Sequence, residues 1–146
     1  MKLSIAISVL LLTGVVTACM AQGESLADSH IRANVPDEKD FAAFLKRDLE
    51  KYFKDSLHKS VTVEYELLRN GPTQSGIAYP KFYAWVTLHD GGAVIDQGAV
   101  RIAAVEKKFF EVTHFVSEAD IKRDPAALDQ IFPLPVADKI RERMVK

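Results

Sequence analysis

Apolar and polar positions divide the chain into a helical first part, a strand-rich middle and a helical end. After Pro36, Asp37 and Asp40 favour a helix start, because acidic side chains suit the positive N-terminal end of a helix. Apolar residues then recur every three or four positions, which predicts one helix with a single buried stripe. The stripe comprises Phe41, Phe44, Leu45, Leu49, Tyr52, Phe53 and Leu57.

The period of the pattern changes to two residues after Ser60, and this predicts β-strands. One strand alternates from Val61 to Leu68, and a meander of three strands runs from Lys81 to Val116. Asp90-Gly91-Gly92-Ala93 predicts a two-residue hairpin, because glycine accepts the positive φ angles of such turns. Glu106-Lys107 predicts the second turn.

Two-residue turns place Ala84 opposite Ala99 and Ala99 opposite His114. Apolar residues then lie on both faces, so we expect the sheet to be covered, or to line a pocket, on both sides. One face would hold Phe82, Val86, Leu88, Ile95, Phe110, Val112 and Val116, and the other Tyr83, Trp85, Val100, Ile102, Phe109 and Phe115. A bulge at Gln97-Gly98 would move part of the third strand to the opposite face.

The C-terminal part predicts short helices. Ser117 to Asp120 has the pattern of a helix cap, Asp124-Pro125 opens a further turn, and Pro133-Leu134-Pro135 precedes the last helix. The apolar seam of that helix comprises Val136, Ala137, Ile140 and Met144. This seam would either cover the open side of the sheet or face a partner.

The element order predicts an α+β fold, with one long N-terminal helix packed on a curved antiparallel sheet of about four strands, followed by short C-terminal helices. This order resembles the cystatin-like and nuclear-transport-factor-like rolls, and the resemblance covers most of the chain after residue 19. The resemblance implies a conical space between sheet and helix, which hosts isomerases and ligand binders in some relatives. Cystatins use a Gln-x-Val-x-Gly hairpin against cysteine proteases, and this chain has no such sequence, so protease inhibition is not implied.

Residues 1–19 carry a separate pattern. Lys2 precedes an apolar core, Leu3 to Val16, and small residues follow, which is typical of a secretory signal and too short for a permanent membrane span. Val16-Thr17-Ala18-Cys19 resembles the lipobox of bacterial lipoproteins, in which cleavage frees the cysteine and acyl chains are attached to its sulfur and amine. An ordinary secretory peptide cut after Ala21, without lipid, is the alternative.

The lipobox resemblance implies a signal peptide at 1–18 and a lipidated Cys19. The residues after Cys19 are polar and lack periodicity as far as Val35, which predicts a flexible tether, so Cys19 and the tether occupy 19–35 and a single domain occupies 36–146. Met20 stands where an aspartate would signal retention at the inner membrane. The resemblance therefore implies an outer-membrane lipoprotein facing the periplasm, attached to the membrane through the lipid on Cys19.

Composition narrows the classes of function. The chain has 19 Lys and Arg against 20 Asp and Glu, so it lacks the net positive charge that is typical of a nucleic-acid binder. Cys19 is the one cysteine of the chain, so no internal disulfide is expected. No nucleophile elbow, P-loop or dinucleotide fingerprint occurs, and the four histidines lack metal-ligand spacing, so we expect neither metal nor cofactor. Arg101 would need a partner or access to water if buried.

Three functions stay open. The first is a non-catalytic binding module for an envelope protein, of the immunity or inhibitor type, acting on a hydrolase or toxin. The polar loop from Asn70 to Gly76 favours it, because loops on a rigid scaffold commonly carry binding residues. The second is a carrier of a small apolar ligand between sheet and helix. The third is an enzyme using Asp96 or Glu111 as acid or base, if burial raised the pKa of the carboxyl.

The candidate binding residues follow from the first two functions. They are Thr73, Gln74, Ser75, Tyr79, Tyr83, Trp85 and Phe115. A homodimer through the sheet face or the last helix is a further expectation that the pattern leaves open.

Overall fold

The structure is a computed structural model that describes residues 23–146. Its elements are α1 Leu26–Asn34, α2 Glu38–Leu57, β1 Thr62–Leu67, β2 Lys81–Asp90, β3 Ala93–Val105, β4 Phe109–Ser117, α3 Glu118–Arg123, a 3-10 turn Pro125–Ala127, α4 Leu128–Ile131 and α5 Leu134–Met144. The four strands form one antiparallel sheet in the order β1-β2-β3-β4, so the fold is α+β. The lipobox and Cys19 lie outside the described residues.

Helix α2 covers one face of the sheet through its predicted stripe. Leu45, Leu49 and Phe53 are fully buried against this face, and burying each such side chain contributes roughly 1.5–3 kcal/mol. Leu57, at the end of the stripe, is exposed. Asp37 is the N-cap residue, as predicted, but its carboxylate accepts a hydrogen bond from Lys107 at 3.3 Å instead of capping the helix amides.

The C-terminal helices cover the other face. Tyr83 and Trp85 of β2 are buried there beneath the apolar seam of α5, and the rings of Tyr83 and Phe132 lie 6.2 Å apart. Of the two expected positions for the last helix, the structure has the one in which it packs on the sheet. Coverage on both sides explains why β2 is apolar at successive positions.

At Ala99 the predicted register is wrong by one residue on the β2 side and by two residues on the β4 side. The Gly91-Gly92 hairpin is confirmed, with φ angles of 57° and 90°, but the second turn has three residues, because Val105 pairs with Phe109. Together with two bulges, this turn pairs Ala99 with Trp85 and Val116 instead of Ala84 and His114.

The bulges also differ from the predicted one at Gln97-Gly98. They occur where the register shifts between Leu88 and His89 and between Arg101 and Ile102. A shift of one residue exchanges the faces of a strand. The residues whose predicted face is wrong are Val100, Ile102 and Phe115, which lie on the α2 side, and Val116, which lies on the other.

Helix α1 lies within the segment for which the sequence pattern predicts a flexible tether. The hydroxyl of Ser25 caps it, accepting the N–H of Asp28 at 3.1 Å. At its end Asn34 is buried, and its carbonyl accepts the N–H of Lys107 at 2.8 Å. This contact joins residues far apart in the chain, so local periodicity could not reveal it. Within residues 23–146, no helix has the length and apolar character needed to cross a membrane.

Candidate functional site

The connection between β1 and β2, residues 68–80, is a long loop held by hydrogen bonds; we call it the β1–β2 loop. Thr73 and Lys81 exchange two backbone hydrogen bonds, at 2.8 and 2.9 Å. The hydroxyl groups of Thr73 and Tyr83 are 2.6 Å apart, so the loop is also tied to a buried side chain of β2. Arg69 donates to the carbonyls of Gly71 and Pro72. The base of the loop is therefore fixed to the sheet.

The outer half of the loop is a tight turn. The N–H of Ala78 donates to the carbonyl of Ser75 at 3.1 Å, and the side-chain amide of Gln74 donates to the carbonyls of Gly76 and Ala78 at 2.9 and 2.7 Å. Gly76 adopts φ +54°, a conformation that glycine accepts without strain. At this corner Ile77 is 90% exposed.

Apolar surface is thus presented by a constrained loop. Tyr79, which follows the turn, is 43% exposed, and its carbonyl accepts a hydrogen bond from Lys81. The predicted residues Thr73, Gln74 and Ser75 form the frame of the loop, while Ile77 is its most exposed large hydrophobic side chain. Sequence reasoning missed Ile77, although a large aliphatic residue inside a polar loop was a usable signal.

The other predicted binding residues do not line one pocket. Tyr83 and Trp85 face the C-terminal helices, and the guanidinium of Arg143 lies 5.2 Å from the Trp85 ring centroid. Phe115 lies on the α2 side, with its ring centroid 4.9 Å from that of Phe53. The sheet separates these residues, so they cannot enclose a shared apolar ligand.

The two candidate acids are also separated. Asp96 pairs with Leu88, whose side chain faces α2, and its carboxylate accepts the N–H of Gln97 at 2.8 Å. Glu111 is exposed and pairs with Ala103, on the other face of the sheet. The register therefore places the two acids on opposite faces. Across residues 23–146, no cluster of three His, Cys, Asp or Glu side chains is suited to hold a metal ion.

A cationic group flanks the base of the loop. Lys81 pairs with Ala103 and Arg101 pairs with Tyr83, so Lys81 and Arg101 are diagonal neighbours on one face of the sheet. The Cα atoms of such neighbours lie about 7–8 Å apart. Burial lowers the pKa of Lys81 and the nearby Arg101 lowers it further, whereas Glu111 acts in the opposite direction. Burial likewise lowers the pKa of His114, with a second contribution from Arg101. Lys81, Arg101 and His114 are far apart in the sequence, and the register of β2, β3 and β4 brings them together.

Comparisons of the chain with models of protein families, with curated proteins and with solved structures find no match. The geometry of the β1–β2 loop and its surroundings is therefore the basis for proposing a function.

Proposed function

We propose that this chain is a non-catalytic binding module that engages a protein partner of the cell envelope through the β1–β2 loop. The observation that carries the proposal is the 90% exposure of Ile77 on a loop whose base and turn are both hydrogen-bonded. A loop that is already ordered loses little conformational entropy on binding, so covering its apolar surface contributes directly to affinity. Tyr79 adds an aromatic side chain of the kind enriched in interface hot spots.

The lipobox resemblance supports a location at the membrane. We propose that Cys19 carries the lipid and that the module faces the periplasm from the outer membrane. Each acyl CH₂ buried in the bilayer contributes about 0.8 kcal/mol, so two or three chains make a stable anchor. An immunity or inhibitor protein that binds a hydrolase or toxin at the envelope fits this arrangement.

The contacts of α2 support the finer description of the fold as a cystatin-like or nuclear-transport-factor-like roll. Glu50 accepts the N–H of Val63 in β1 at 3.3 Å, and Asp48 accepts the N–H of Phe110 in β4 at 2.7 Å. Four strands span about 14 Å, more than the diameter of a helix, about 10–12 Å. A sheet curved around α2 explains how one helix reaches both edge strands.

Site-specific photo-crosslinking tests the proposed function. A photoreactive residue replaces Ile77 in the full-length chain, expressed in a bacterium with an intact envelope. The matched control places it at Val145, which is 87% exposed and distant in sequence from the loop. We expect a discrete protein adduct from position 77 that is absent from position 145. The same adducts from both positions, or none from position 77, would contradict the proposal.

A further inference from the structure

Lys81 and Arg101 differ from the other cations of the described chain. Across residues 23–146, the lysines and arginines that are not exposed are Lys81, Arg101 and Arg141. Arg141 is paired with the carboxylates of Asp129 and Asp138, at 2.7 and 3.1 Å. Within the same residues, no carboxylate oxygen lies within 4.0 Å of a side-chain nitrogen of Lys81 or Arg101.

Neutral groups hold both side chains in place. The ammonium of Lys81 donates to the carbonyl of Tyr79 at 2.8 Å. Arg101 donates through Nε to the hydroxyl of Thr113 at 3.0 Å and through Nη1 to the carbonyl of Ile131 at 3.3 Å. An ammonium has three N–H donors and a guanidinium has five, so both groups keep donors free for a further acceptor. The guanidinium is thus oriented without being neutralised.

Two partly buried like charges on diagonal neighbours of one face repel each other, which is unfavourable for the free protein. The lowered pKa of Lys81 reflects this, since both burial and the charge of Arg101 disfavour its protonated form. Glu111, on the same face, offsets part of the charge but is exposed to solvent. An anion between the two cations would remove the repulsion and gain charge-assisted hydrogen bonds, which are about twice as strong as neutral ones.

We propose that Lys81 and Arg101 together bind an oxyanion, a carboxylate or a phosphate, that bridges the ammonium and the guanidinium. The planar fork of Arg101 suits both chemical groups, because each presents two oxygens at matching separation. The site depends on contacts of this chain alone. A test of anion binding at this site is therefore independent of whether a protein partner binds the β1–β2 loop.

The imidazole of His114 provides the readout. His114 pairs with Arg101 across β3 and β4, and Arg101 lowers its pKa, so an anion at Arg101 raises that pKa by favouring the imidazolium. The pKa is followed by NMR of the full-length protein in increasing acetate or inorganic phosphate, against chloride at equal ionic strength. We expect a saturable rise beyond that in chloride. Saturation by acetate alone assigns a carboxylate ligand, and saturation by phosphate alone assigns a phosphate.

Variants separate the site from general screening by salt. Lys81→Gln and Arg101→Gln are each expected to weaken the saturable binding about tenfold or more, because each removes a charged hydrogen bond. Arg101→Lys keeps the charge and is expected to bind with intermediate affinity. Lys139→Gln is the matched control, since Lys139 also donates to a backbone carbonyl, that of Leu68 at 2.9 Å. A response no larger than in chloride, or unchanged in Lys81→Gln, would overturn the proposal.

Discussion

The side chain of Asn34 binds the backbone of Glu106: its Oδ1 accepts the Glu106 N–H at 3.0 Å. Glu106 and Lys107 adopt positive φ angles of 50° and 59°, which are uncommon for residues other than glycine. The carbonyl of Asn34 also accepts the Lys107 N–H. One buried residue at the end of α1 therefore accepts the N–H groups of Glu106 and Lys107, two of the three residues in the turn between β3 and β4.

We expect Asn34→Ala to lower the free energy of unfolding by about 1–3 kcal/mol, because the Glu106 N–H loses its buried acceptor. Urea denaturation of the full-length protein measures the change. Ser29→Ala, at an exposed position of α1, is the control and should change stability by no more than about 0.5 kcal/mol. An unchanged midpoint in Asn34→Ala would show that α1 does not support the turn.

Gly98 is expected to be intolerant of any side chain. A Cβ atom there would overlap with the carbonyl oxygen of Val116 and lie 2.8 Å from Cε2 of Phe115. Overpacking of this kind costs about 1–3 kcal/mol or more, so Gly98→Ala should shift the denaturation midpoint strongly. Gly23→Ala, with no atom within 4 Å of its Cβ, is the control. Equal stabilities of the two variants would contradict the close approach of β4 at Gly98.

The hydrogen bond between Thr73 and Tyr83 is expected to contribute about 0.5–1.5 kcal/mol to stability. Thr73→Val, Tyr83→Phe and the double variant form a cycle that isolates this contact. Because the two hydroxyl groups are 2.6 Å apart, we expect the second substitution to cost less once the first is present. Strict additivity of the two substitutions would mean that the hydroxyl groups of Thr73 and Tyr83 do not bond to each other in solution.

The pKa of His114 is expected to rise in Arg101→Gln, because burial lowers that pKa and Arg101 lowers it further. In the wild type the unfolded chain, with a histidine pKa of about 6.5, binds a proton more readily than the folded chain. His114 therefore reduces stability as the pH falls through about 6.5, and this loss should be smaller in Arg101→Gln. NMR titration of the imidazole and urea denaturation between about pH 5 and 8 measure both effects. A pKa unchanged by the substitution would refute the electrostatic contact.

The parts of the fold that local chemistry determines could be predicted from the sequence. The stripe of α2 and the Gly91-Gly92 hairpin depend on residues close in the chain, and both are present. The register could not be predicted, because it depends on two bulges and on a three-residue second turn, in which non-glycine residues at positive φ contact Asn34 from far along the sequence. Helix α1 was missed for the same reason.

In the candidate site, too, the features set by nearby residues could be predicted, and those set by contacts between distant residues could not. Glycine and proline around Thr73 and Gln74 predict a loop that could bind a partner. The sequence also shows that a large aliphatic residue, Ile77, follows directly after Gly76 in this polar region. Lys81 and Arg101 become neighbours only in the observed register, and their lack of a carboxylate partner is a tertiary property. The predicted register, which is displaced by one residue between β2 and β3, puts Lys81 and Arg101 on opposite faces of the sheet.

Ile77 is expected to contribute to binding and little to folding. At 90% exposure, Ile77→Asp should leave the free energy of unfolding within about 0.5 kcal/mol of the wild type. The most direct measurement of the central claim is the affinity of this variant for the protein crosslinked from position 77, with Val145→Asp as the control. A hot-spot side chain contributes about 2 kcal/mol, so we expect affinity to fall about thirtyfold in Ile77→Asp and to be retained in Val145→Asp. Equal affinities of wild type and Ile77→Asp would contradict a binding module that acts through the β1–β2 loop.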